Sequence, residues 1–288
     1  MIEFINDLMS YSVLQKAFIT SVMVGIICGV IGCFIVLRGL ALMGDAISHA
    51  VLPGVAVSYM LGISYFYGAV VTGIFTAFGI GLIQQNSRVK SDASIGIVFS
   101  AFFALGIILI SKAKSATDLT QILFGNVLFV RNSDMWITLI IGTIILLTVI
   151  LFYKELLVSS FDETMAAAYG LPTRVIHYIL MFLLTLVTVA SLQTVGVILV
   201  VSMLIAPASA AYLLTNRLHI MIILSATFGT LASIVGLYFS FHYNLPSGPV
   251  IALATTSIFI ISFLFSPKQG VFIRRMRIRK QRKMNLLS

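Results

Sequence analysis

The chain has 288 residues, 60% of them hydrophobic and only 9% charged, with a formal net charge of +9, whereas a soluble domain carries about 25% charged residues. A water-soluble fold of this size cannot hide that much apolar surface, so the composition excludes a soluble domain and implies an all-α polytopic membrane protein. The N-terminus, MIEFINDLM, carries two acids and no basic n-region, so no cleaved signal is expected. A spanning helix needs about 20 mostly apolar residues. Nine stretches qualify, at 17–37, 46–62, 66–84, 94–111, 134–153, 175–192, 194–214, 219–241 and 248–266. The sixth and seventh are nearly continuous, which leaves an eight-span alternative open. Cys28 and Cys33, both in the first stretch, stand five residues apart on a helix and read as small core residues rather than a disulfide.

The breaks between these stretches are short, so one bundle over 1–270 is the economical organisation. The final segment, 271–288, is a basic tail whose RRMRIRKQRK run holds seven of the 18 Lys and Arg residues. Directly after an apolar span, such a run reads as a cytoplasmic anchor on anionic lipid headgroups and not as a nucleic-acid site. With the tail inside and nine spans, Arg38, Arg88, Lys90, Lys154, Arg174 and Arg217 also fall inside. Lys16, Lys112, Lys114 and Arg131 fall outside. Two loops stand out. Residues 112–133 are long and semi-polar with an apolar middle, suited to a short helix or re-entrant piece at the outer face. Residues 154–174 form the largest inside loop, where DETMAAAYG predicts a short helix with Asp162 near its N-terminus and Gly170 and Pro172 as its stop. A small alanine-rich helix between two spans has little packing reason to exist unless something docks on it.

The stretch LRGLALMGDAISHAVLPG, 37–54, places Asp45 and His49 four residues apart, on one face of a helix. Ionisable groups at membrane depth face a cavity, a partner or a pathway. A carboxylate and an imidazole make half of a four-ligand site for manganese, iron or zinc, and two copies related by a two-fold axis would supply four ligands. On spacing alone, other readings stay open. Asp45 caps the second helix or pairs with Arg38, and His49 is a buried histidine bonded to a carbonyl. Pro53 lacks an N–H and so frees the carbonyl of His49, and Pro207 does the same for Met203 beside the small-residue run APASAAYLL. Both prolines read either as path-shaping residues or as packing kinks.

The run GCFIVLRGLALMGDAISHAVLPGVAVSYMLG, 32–62, resembles the signature of the membrane subunit of bacterial ABC importers for manganese, zinc and iron, the permeases that work with a solute-binding lipoprotein. SDASIGIVFSAFFALGIILIS (91–111), DLTQILFGNVL (118–128), SFDETMAAAYGLP (160–172), LQTVGVILVVSMLIAPASAAYLL (192–214) and SPKQG (266–270) extend the resemblance nearly end to end. It is most similar to the manganese-type branch of Gram-positive bacteria. The resemblance implies that Asp45 and His49 coordinate metal in the translocation path. It further implies that 160–172 is the coupling segment, with Phe161, Asp162, Glu163, Ala167, Gly170 and Pro172 against a cytoplasmic ABC ATPase. The expected partners are that ATPase, a second copy of the chain, an extracellular metal-binding lipoprotein and membrane lipids. The expected location is the bacterial plasma membrane, with the C-terminus cytoplasmic. No cofactor is expected, the divalent metal being cargo.

The residues themselves agree. No G-x-x-x-x-G-K-[ST] run occurs, so ATP hydrolysis would sit on another polypeptide, and no H-E-x-x-H run supports an intramembrane protease. The alternative is an ion-coupled secondary metal transporter. Such carriers show internal repeats and several acids at midplane, whereas Asp45 is the one acid in or beside a predicted span core, and neither half of the chain echoes the other. His177, His219 and His242 belong to no ligand motif and read as interfacial or structural.

Overall fold

The computed structural model describes residues 10–112 and 127–266. The basic tail, most of the 112–133 loop and the SPKQG stretch beyond Ser266 lie outside them. Among the described residues all regular structure is helical: α1 Ser12–Leu37, α2 Ala41–Ala50, α3 Leu52–Leu61, α4 Tyr65–Asn86, α5 Ser91–Lys112, a 3-10 turn Val127–Phe129, α6 Asn132–Leu151, α7 Tyr153–Phe161, α8 Glu163–Ala168, α9 Thr173–Val195, α10 Val197–Leu214, α11 Leu218–Tyr243 and α12 Ser247–Phe265. Taking α2 and α3 together as one span, nine of these are long and apolar enough to cross a membrane. The helices overrun the apolar stretches, beginning at Ser12 rather than 17 and at Ala41 rather than 46. Hydropathy marks only the part inside hydrocarbon, while the backbone ladder continues into the interface. At 26 residues, α1 is about 39 Å long.

The ninth span is settled at Gly196, the single residue between α9 and α10. The chain leaves the Arg38 end of the bundle at His177. It reaches the opposite end where Thr138 donates to the Ala190 carbonyl, and by Leu204 it is back against Gly32 and Gly44. Two antiparallel spans therefore stand where the sequence left one or two.

The core gathers around α1, which packs along α11, α10, α6 and α9. Apolar on all sides, α1 has the character of a helix surrounded by other helices. Its contact with α11 is close because small residues face each other. A Cβ on Gly25 would stand 2.8 Å from the Gly229 carbonyl. In lipid, where apolar surface gives no drive to associate, close backbone approach and interhelical hydrogen bonds hold helices together. Ser225 and Ser233 of α11 supply such bonds, donating to the Gly29 and Ser21 carbonyls of α1 at 2.8 and 2.9 Å. The outer helices α4, α5, α6 and α12 bury little of themselves and present side chains such as Ile150 and Leu253 outward. Cys28 and Cys33 are buried and unbridged, the Cys33 thiol donating to the Gly29 carbonyl.

Candidate metal site and coupling segment

The site begins where α1 stops. Leu40 N–H donates to the Ile35 carbonyl and Gly39 N–H to the Val36 carbonyl, a Schellman closure that needs the left-handed φ of +67° at Gly39. The chain reverses in three residues and starts α2 at Ala41. Asp45 therefore lies in the second turn of α2, and neither capping nor the Arg38 pairing describes it.

His49 Nε2 stands 3.6 Å from Asp45 Oδ1, with side-chain exposures of 27% and 49%. Metal–oxygen and metal–nitrogen bonds of about 2.0–2.2 Å meeting at a tetrahedral angle set their donor atoms about 3.4 Å apart. The two atoms are thus spaced as neighbouring ligands of one ion. The His49 ring is held edge-to-face by Phe99 and Phe103 of α5, at centroid distances of 6.0 and 5.8 Å. Its buried Nδ1 has no hydrogen-bond partner among the described residues, so the carbonyl-bonded histidine is not what forms. Among those residues no group of three or more His, Cys, Asp or Glu surrounds an ion position. One chain thus brings one carboxylate and one imidazole together on a partly open face.

Pro53 acts as its chemistry requires. The second span is interrupted at Val51, with Pro53 in the first turn of α3. Thr72 of α4 donates to the Val51 carbonyl at 3.3 Å, which also accepts from Val55 N–H at 3.1 Å. Pro207 lies buried inside an unbroken α10. One turn earlier, Leu204 packs so near that a Cβ on Gly44 would stand 2.8 Å from its Cδ1. Both prolines accordingly belong to helices packed around the Asp45 segment.

At the Arg38 end, α8 is the short helix expected. The Asp162 carboxylate accepts from Met165 N–H at 2.9 Å and from the Thr164 hydroxyl at 2.6 Å. These bonds, the Thr164 one first, hold its carboxyl below the usual carboxylate range. Leu171 N–H to Ala166 and Gly170 N–H to Ala167 close the helix, with Gly170 at φ +78°. Phe161, Asp162, Glu163, Ala167, Gly170 and Pro172 are all exposed, as are the large side chains of Met165 and Tyr169.

Sequence reading did not foresee the work of Arg38. Its guanidinium donates to Ser159 Oγ at 2.7 Å and Ser160 Oγ at 3.4 Å, and meets His177 Nδ1 at 3.2 Å. Burial lowers its pKa, opposed by the nearby Glu163 carboxylate. His177 is thus a structural partner, while His219 and His242 are exposed. No linear signal announces partners 121 to 139 residues away. Phe99 and Phe103 were equally silent within an apolar run.

A multi-pass helical bundle with an Asp–His pair inside one span and an exposed short helix at the same end is the build of a membrane permease. The family is given by comparison: residues 10–266 match the ABC 3 transport family, and the chain belongs to it. The manganese transport system membrane protein MntC of Listeria monocytogenes is 65% identical over 274 residues, covering 95% of this chain and 98% of that protein. The manganese import system permease protein ScaB of Streptococcus gordonii is 50% identical, covering 96% and 99%. Among solved structures, PsaBC from Streptococcus pneumoniae in complex with Fab superposes with a TM-score of 0.85 at 53% identity, over 97% of this chain and all of that one.

Proposed function

We propose that the chain is the membrane permease subunit of an ATP-driven importer of a divalent transition metal, with manganese the first candidate and zinc and iron behind it. The observation that carries this reading is the Asp45–His49 pair, two ligand atoms 3.6 Å apart on a partly exposed face of an interrupted span. The manganese named for relatives at 65% and 50% identity supports the choice of metal.

In this reading two copies meet so that their Asp45 and His49 side chains form a four-ligand waypoint. A metal-binding lipoprotein releases the ion at the outer end. ATPase subunits dock on 160–172 at the Arg38 end, which faces the cytoplasm together with the C-terminus in the plasma membrane. The Asp45 carboxylate offsets part of the cation's charge, and the neutral His49 imidazole supplies a directed nitrogen lone pair, which an imidazolium lacks. Half-exposed ligands bind well enough to accept an ion and weakly enough to release it.

The test is the metal content of cells carrying the permease with its cognate ATPase and binding protein, comparing wild type with Asp45→Ala and His49→Ala at matched membrane levels. Loss of manganese in both variants, with zinc and iron unchanged, is the expected result. Loss of zinc or iron instead would reassign the cargo. Unchanged uptake of all three would remove the pair from the path.

A further inference from the structure

We infer that Arg38 is the positioning residue that ties movement of the coupling segment to the helix bearing Asp45 and His49. The inference rests on the proposed function, because it assigns a device to that same transport cycle.

The geometry has two sides. On one, the guanidinium grips both stems of the coupling segment. Ser159 and Ser160 lie in the last turn of α7, which ends at Phe161 just before Asp162, and His177 lies in the second turn of α9, the helix that follows the segment. Displacement of α8 therefore has to pull on one or both sets of bonds. On the other side, Arg38 is the C-cap of α1 and opens the turn that leads into α2. That turn is stiff: its two Schellman bonds are followed by Met43 N–H donating to the Leu40 carbonyl at 2.9 Å, and Leu40 is buried. Only six residues separate Arg38 from Asp45, all within this turn and the first turn of α2.

An arginine serving only to balance the helix C-terminus would aim at the last carbonyls of α1. Here each of the three guanidinium nitrogens is directed instead at a side chain from another element. The planar fork suits such a task and a lysine does not, since one ammonium on a flexible stem is a single point of attachment. Coupling of this kind requires a physical element shared by both sites, and Arg38 is bonded to one and covalently continuous with the other.

The permease, assembled with its cognate ATPase in lipid vesicles and supplied with manganese-loaded binding protein, allows ATP hydrolysis and manganese accumulation to be measured together. The variants are Arg38→Lys, Arg38→Met and the double Ser159→Ala/Ser160→Ala. The expected result is hydrolysis within about twofold of wild type but manganese imported per ATP lowered by about tenfold in Arg38→Met, with the other two intermediate. An unchanged import-to-hydrolysis ratio would overturn the link, and so would import and hydrolysis falling in proportion. Should Arg38→Met fail to assemble, the double serine variant decides by the same ratio, since it keeps the charge. A wild-type complex that hydrolyses ATP yet accumulates neither manganese, zinc nor iron would overturn the proposed function itself, and the link with it.

Discussion

A carboxylate and an imidazole do different things for a passing cation, and in the proposed site Asp45 and His49 would divide the work. The first offsets charge at a distance as well as on contact. The second acts only along the lone pair of Nε2, the atom 3.6 Å from the carboxylate. Asp45→Asn should therefore lose more manganese uptake than His49→Gln at equal membrane level, and the reverse order would show that direction matters more than charge. The aromatic pair behind the ring gives a second expectation. Phe99 and Phe103 hold the imidazole edge-to-face, while its Nδ1 makes no bond that would orient it. Phe103→Ala should weaken manganese binding by roughly 10–100-fold, the range for removing a group that orients a ligand, with the thermal transition nearly unchanged. Calorimetric titration of purified permease with manganese checks this, and full affinity in the variant would mean that the ring is placed by α2 alone.

Among the elements, α8 is the one with fewest reasons to persist. It has six residues, a single buried side chain and an exposed apolar surface, so its N-cap carries unusual weight. The Asp162 carboxyl is held below its usual range by Thr164 and Met165. A group whose folded value is depressed stabilises the fold at pH above its unfolded value, and that stabilisation disappears as pH falls through the folded one. Hydrogen exchange at 163–168, corrected for intrinsic rates, should accelerate as pH drops through and below the ordinary carboxylate range. Asp162→Asn should abolish that acid-dependent step, and persistence of the step would assign it to another group. In the second span, Pro53→Ala would offer the His49 carbonyl the i+4 N–H that proline lacks and mend the interruption at Val51. Such a change is expected to raise the melting temperature while lowering uptake, whereas unchanged uptake would make the break a packing feature.

Across the whole molecule, the bundle depends on a few places where backbones touch. A Cβ on Gly54 would overlap the Gly68 carbonyl oxygen, and one on Gly68 would overlap that of Gly54. Because both obstacles are backbone, no side chain can swing aside. Gly54→Leu should cost more than about 3 kcal/mol, beyond ordinary overpacking, and be seen as loss of a cooperative melting transition in detergent. A transition as in wild type would show that α3 and α4 separate without penalty. The proposed metal shell also belongs to this scale, since two ligands per chain would call for a second copy.

The sequence by itself determined the approximate limits of the apolar stretches, the short helix between Asp162 and Gly170, and the shared face of Asp45 and His49. Each rests on neighbours within one or two helical turns, where hydropathy, capping chemistry and the 3.6-residue period act locally. Even the placement of Asp45 near a helix start was inexact for a local reason: α2 begins at Ala41, before the stretch that hydropathy marks. Only the tertiary structure decided that Gly196 reverses the chain, that Phe99 and Phe103 hold the His49 ring, and that Arg38 spends its guanidinium on Ser159, Ser160 and His177. Those contacts join residues from about 50 to 139 positions apart. In a chain whose helices are apolar on every side, periodicity does not say which face meets which neighbour, because lipid and protein interior present nearly the same solvent to a leucine.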